Sequence, residues 1–86
     1  MLYSNVLIAG NCVFYDELEN IKKQNLYAKI RYKSKLSKCM VEKFNGGIRV
    51  IFEVPQRAIT KGQYVVVYDE EGKVLLNGEI LSFQNS

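Results

Sequence analysis

The residues best equipped for chemistry are cations, and they crowd into one stretch. Between Lys22 and Lys43 stand eight basic side chains (Lys22, Lys23, Lys29, Arg31, Lys33, Lys35, Lys38 and Lys43) against one acid, Glu42. That is a local balance of +7 in a chain whose total is +3. The other acids flank it, with Asp16, Glu17 and Glu19 before and Glu53, Asp69, Glu70, Glu71 and Glu79 after. A basic segment of this kind is the electrostatic footprint of a polyanion partner, because each phosphate neutralised by Lys or Arg releases counterions. The alternative is a solvated lysine-rich face that keeps a small domain soluble. Within the segment, Tyr27, Lys29, Arg31 and Lys33 alternate with Leu26, Ala28, Ile30 and Tyr32. This is the period of a half-buried strand, apolar inside and cationic outside. Its outer face offers charge to phosphates and a ring that can stack on an unpaired base. Arg31 is the best-suited member, since a planar guanidinium binds a phosphate through two hydrogen bonds.

Other chemistry is poorly provided for. The sequence has no His, so the commonest general base and the commonest metal ligand are both missing. Cys12 and Cys39 form no C-x-x-C pair and have no His to complete a zinc set. A disulfide between them is conceivable on paper, but two Cys without a signal peptide fit reduced structural thiols in the cytosol better. No nucleophile has a base beside it in sequence and no carboxylate pair is clearly placed. Apolar runs such as Tyr64 to Tyr68 fall far short of the ~20 residues that cross a bilayer, so a soluble protein with no membrane partner is expected. Eighty-six residues at 48% hydrophobic content make one globular domain with one core. A chain this short buries only about 60 to 65% of its unfolded surface, which leaves little room for a deep enclosed site. A self-contained enzyme is not expected.

The elements that must position the cations are strands. Asn5 to Ala9 and Cys12 to Tyr15 read as two short strands around Gly10-Asn11. Tyr15 to Asn25 is polar, with acids early and lysines late, and reads as one short helical turn or a loop. After the Leu26 to Lys33 strand comes Leu36 to Phe44, with Cys39 and Val41 on one side and Lys38, Met40 and Glu42 on the other. Asn45-Gly46-Gly47 supplies residues tolerant of positive φ and reads as a hairpin turn into Ile48 to Val54, where Ile48, Val50 and Phe52 share a face. Pro55, lacking an N–H, is expected to stop that strand, and Gln56 to Gly62 to be a connection. Gln63 to Asp69 is apolar on both faces, and Glu70-Glu71-Gly72 turns the chain into Lys73 to Phe83. About six strands with turn signals between them indicate an all-β fold, a small closed six-stranded antiparallel β-barrel, since so few strands hide their edges best by closing.

The string FEVPQRAITKGQYVVVYDEEGKVLLNGEI, Phe52 to Ile80, resembles the C-terminal domain of the bacterial tRNA-specific 2-thiouridylase (MnmA/TrmU) family. There a segment F-x-x-P-Q-x-A-[IV]-T-P-G-Q precedes a V-x-[FY]-Y strand and a V-L-G-G-G-x-I ending. KIRYK, Lys29 to Lys33, matches the family's K-I-R-Y-[RK], and Leu2 to Ser4 resembles the point where its chain leaves the middle domain. Lys61 stands where the family has Pro, and Leu76 and Asn77 replace two of three glycines, leaving Gly78. The family's S-G-G-x-D-S nucleotide motif is absent, and Cys12 and Cys39 match neither of its catalytic cysteines.

The resemblance implies a barrel like that of translation factors and aminomethyltransferases. It further implies that residues 1–86 are the C-terminal tRNA-binding domain of a larger cytoplasmic enzyme, excised or truncated from its N-terminal catalytic and middle domains. The whole enzyme would use ATP, bound in the N-terminal domain, to replace O2 of the wobble uridine of certain tRNAs with sulfur. Its partners would be tRNA, the missing domains and a sulfur-carrier protein, with no cofactor in the barrel. By the same resemblance Arg31, Tyr32 and Gln63 lie at the tRNA surface. Alternation places Tyr32 on the inner face, a conflict that a buried ring with its hydroxyl at the edge would resolve. For Gln63 the alternative is a residue hydrogen-bonded to its own turn. Lys29, Lys33 and Arg57 complete the candidate RNA-binding set. The competing reading is a structural barrel that buttresses the other domains through exposed apolar residues, with Tyr3, Leu7, Phe14, Leu81 and Phe83 as candidates.

Overall fold

Alternation of apolar and polar residues sets the architecture. The computed structural model describes residues 3–30, 35–57 and 59–85. Its elements are β1 (Tyr3–Phe14), α1 (Leu18–Lys22), β2 (Leu26–Lys29), β3 (Ser37–Phe44), β4 (Gly47–Arg57), β5 (Tyr64–Tyr68) and β6 (Val74–Gln84). Leu26 and Ala28 of β2, Cys39 and Val41 of β3, Ile48, Val50 and Phe52 of β4, and Val65 and Val67 of β5 are all buried. The residues between them face outward, as the period of two requires. All pairings are antiparallel, and the strands close into a barrel in the order β1-β4-β3-β2-β5-β6. Closure leaves no long free edge. The two ends of the barrel are stoppered from outside the strands, by Ile21 of α1 at one and Ile59 of the β4–β5 connection at the other.

Local chemistry explains the turns. Asn45 (φ 46°) and Gly46 (φ 80°) form the two-residue loop between the paired Phe44 and Gly47, the twist that favours Asn-Gly in a hairpin. Where β4 leaves that turn it runs against β1, and a Cβ on Gly47 would drive into the carbonyl oxygen of Ala9. Gly78, the glycine retained in the VLLNGEI ending, is likewise buried. A Cβ there would lie 2.8 Å from the Cys12 sulfur, so the glycine serves close strand packing rather than a turn.

Two expectations are corrected, and one is met. The opening two strands are one, β1, bent at a register shift between Gly10 and Val13 with Asn11 at φ 50°. The bulge lets a single strand pair with both β4 and β6 and then follow β6 alone. Pro55 does not end β4. It falls in an irregularity where Ser4 pairs with Gln56 but Val6 pairs with Ile51, so its missing N–H costs no ladder bond. Gln56 and Arg57 therefore belong to a strand, and the connection begins after them. The segment read as helical turn or loop holds the five-residue helix α1.

Candidate nucleic-acid interface

The strand order sorts the charges by barrel end. Among the described residues, one end, where β2 and β4 finish and β3 and β5 begin, brings together Lys29, Lys35, Arg57 and Lys61 with two acids, Glu53 and Glu79, the latter the ladder partner of Tyr64 at the start of β5. At the other lie α1, the β3–β4 hairpin and the β5–β6 turn. They carry Asp16, Glu17, Glu19, Asp69, Glu70 and Glu71 against Lys22, Lys23, Lys43 and Lys73. Of the described cations in the basic segment, the fold thus sends Lys29 and Lys35 to one end and Lys22, Lys23 and Lys43 to the other. Arg31, Tyr32 and Lys33, on which the sequence reading rests most weight, lie outside the described residues.

Between the ends, the outer wall of β3, β2 and β5 carries rings and lysines in register. Tyr27 is the ladder partner of Lys38 on one side and of Tyr68 on the other. Lys38 Nζ stands 5.5 Å from the centre of the Tyr27 ring, and Lys29 Nζ stands 5.9 Å from that of Tyr68. Such contacts at exposed sites are worth about 0.5–1 kcal/mol each, enough to order a lysine without committing it. Lys38 also donates to Asn25 Oδ1 at 3.5 Å. Arg49 differs: it donates to Glu42 Oε2 at 2.6 Å and lies 4.4 Å over Phe44, so its charge is already compensated. Sequence reasoning found Tyr27 and Lys29 but missed Tyr68, which it placed in a strand apolar on both faces. The signal was present, since Tyr64, Val66 and Tyr68 alternate with the buried Val65 and Val67.

Lys29, Gln63 and Arg57 share the basic end. Lys29 and Gln63 belong to the adjacent β2 and β5 side, whereas Arg57 is separated from Lys29 by β3. Gln63 is half-buried and its Oε1 accepts from the Thr60 N–H at 3.3 Å. Its backbone oxygen accepts from Ile80 N at 2.8 Å, while Gly62 N donates to Ile80 O at 3.0 Å. Gly62 has φ 87°, the left-handed conformation expected at this turn. Part of the Gln63 carboxamide thus braces the approach to β5. Arg57 is exposed at the end of β4, beside its ladder partner Tyr3.

The two cysteines are partly or largely covered. Cys12 and Cys39 are free thiols; burial raises both, and Cys39, nearly covered, is pushed up to about 12 despite the nearby Lys38. A thiol held protonated is a weak nucleophile and a weak metal ligand. No cluster of three metal-ligating side chains occurs among the described residues. A hollow of about 520 Å³ lined by Lys23, Gln24, Asn25, Asp69, Glu70 and Glu71 lies at the acidic end. Of the apolar residues offered as a contact face, Tyr3, Phe14, Leu81 and Phe83 are exposed, but Leu7 is wholly buried. Leu7 pairs with the core residue Val50, so register points it inward. No helix among the described residues is long and apolar enough to cross a membrane.

Comparison with known proteins agrees with this architecture. The model of the aminomethyltransferase beta-barrel domain family matches residues 4–80, and the chain belongs to that family. It is 38% identical over 81 residues to the tRNA-specific 2-thiouridylase MnmA of Pseudomonas paraeruginosa (strain PA7), an alignment covering 94% of this chain and 21% of that protein. The MnmA of Stutzerimonas stutzeri (strain A1501) is 39% identical over 80 residues, again 93% of this chain and 21% of the relative. That of Pseudomonas fluorescens (strain Pf0-1) is 36% identical over 80 residues. The chain spans about a fifth of the length of these curated relatives.

Proposed function

We propose that the barrel is a non-catalytic tRNA-binding domain that serves a tRNA 2-thiouridylase. The observation that carries this reading is the basic end. Four cations there face two acids among the described residues, and Lys29 leads from it directly into the Arg31–Lys33 segment of the sequence. Phosphates are held by such a surface through charge, and the register of the barrel keeps the acids of α1 and the β5–β6 turn at the far end. The names of the relatives support tRNA as the nucleic acid. In this reading thiolation of the wobble uridine, the ATP that drives it and the contact with a sulfur carrier belong to other domains of a larger cytoplasmic protein. The suppressed reactivity of Cys12 and Cys39 supports a supporting rather than a chemical part for the barrel. Arg31, Tyr32, Lys29, Lys33, Arg57 and Gln63 are its proposed contacts.

The test is titration of labelled tRNA with the 86-residue chain at increasing salt. Weak binding whose log affinity falls steeply and linearly with log salt is expected. No binding at low salt would overturn the proposal.

A second reading has its own observation. Tyr3, Leu81 and Phe83, exposed by 47%, 48% and 38%, stand on β1 and β6 with little covering them. In that reading the barrel buttresses neighbouring domains, and self-association of the chain without RNA affinity would favour it.

A further inference from the structure

We infer that Tyr27 and Tyr68, flanked by Lys38 and Lys29, form a stacking site for unpaired nucleotides on the outer wall of the barrel. The inference rests on the RNA-binding reading and narrows it to single-stranded rather than duplex RNA. Tyr27 and Tyr68 are direct ladder partners, so their side chains leave the sheet on the same side, on neighbouring strands. Both are half-buried, and neither belongs to the core. Two adjacent rings on a sheet surface, with cations beside them, match the general design of single-strand recognition. The rings take bases without regard to sequence and the cations take the linking phosphates.

The lysines are suitably placed for that second part. Lys38 and Lys29 hold their ammonium groups 5.5 and 5.9 Å from the ring centres. A nucleotide stacked on either ring brings its phosphate within reach of a cation already there, and these weak contacts let the lysine move aside for the base. Met40, on the same face two residues beyond Lys38 and 64% exposed, extends the apolar rim. The neighbouring charges give the site a direction. Asp69, Glu70 and Glu71 follow Tyr68 directly and repel phosphate, so the RNA backbone leaves past Lys29 towards the basic end. Duplex RNA cannot use the rings, because its base faces are already stacked on one another.

The experiment compares an eight-nucleotide single-stranded RNA with its duplex by fluorescence anisotropy, and includes a single strand carrying 2-aminopurine to report stacking. The single strand is expected to bind about tenfold tighter than the duplex, with the 2-aminopurine quenched. The double variant Tyr27→Leu/Tyr68→Leu is expected to lose about tenfold in single-strand affinity together with the quenching, at unchanged salt slope. Tyr27→Phe/Tyr68→Phe keeps both. Equal affinity for single strand and duplex, or quenching that survives in the folded Leu variant, would overturn the inference. If the Leu variant does not fold, absence of quenching by the wild-type chain overturns it instead. Steeply salt-dependent tRNA binding alongside such a result leaves the broader reading standing, whereas no binding to any RNA removes both.

Discussion

The two ends of the barrel are built alike and charged oppositely. Each is closed by one isoleucine from outside the strands, Ile21 from α1 and Ile59 from the β4–β5 connection, and the two share a single core. Around Ile59 the surface is basic, and around Ile21 six acids outnumber four cations. The stopper at each end is a matter of burial and stability. The charge around it is free to differ, because solvent-exposed charges contribute little to folding. The total of +3 therefore says less about partners than the sorting of charge by strand order does.

The similarity in build can be broken first. Ile21→Ala and Ile59→Ala should each cost about 2–5 kcal/mol in urea unfolding, since each empties a fully packed site. A much smaller loss at Ile59 would mean that the basic end is not closed as described. A second outcome concerns the core between the ends. The folded protein holds the Cys39 proton up to about pH 12, against 9.0 ordinarily, while the unfolded chain releases it near its ordinary value. Stability from this group is thus complete below pH 9.0 and is lost as pH rises towards about 12. Denaturation followed across that range should show a shallower alkaline loss in Cys39→Val than in wild type, and Cys39 should resist alkylation until the protein unfolds.

The smallest effect belongs to the acidic end. A hydrogen bond from the Asn20 side chain, then one from the Glu17 backbone N–H, and more distantly Lys73, hold the Asp16 carboxyl below its usual 3.8. Its contribution is present above that value and fades as pH falls through the lowered one. In an NMR titration Asn20→Ala should move Asp16 back up towards 3.8, with little change in melting temperature.

Much of this was legible in the residues. The alternation of Leu26, Ala28 and Ile30 with Tyr27 and Lys29 fixes which side chains face out, and Asn45-Gly46 fixes the hairpin. Local rules failed where pairing partners decide the outcome. Pro55 ends a regular strand but not one with a bulge at that spot, and Gly10-Asn11 bends β1 without breaking it. The candidate site was legible only in part for the same reason. Linear spacing groups Lys22, Lys23 and Lys43 with Lys29 and Lys35, whereas antiparallel pairing sends them to opposite ends. Tyr68 becomes visible beside Tyr27 only once β2 and β5 are known to be neighbours.

The most direct measurement swaps the same charge at the two ends. Lys29→Glu/Arg57→Glu and Lys22→Glu/Lys23→Glu alter the net charge equally, one at the basic end and one at the acidic end. With affinity for tRNA measured across a salt series, the first pair should lower binding by at least about tenfold and reduce the salt slope by about two, while the second should stay within about twofold of wild type. Equal losses from both pairs, or none from the first, would contradict the claim that the position of charge on the barrel determines where RNA binds.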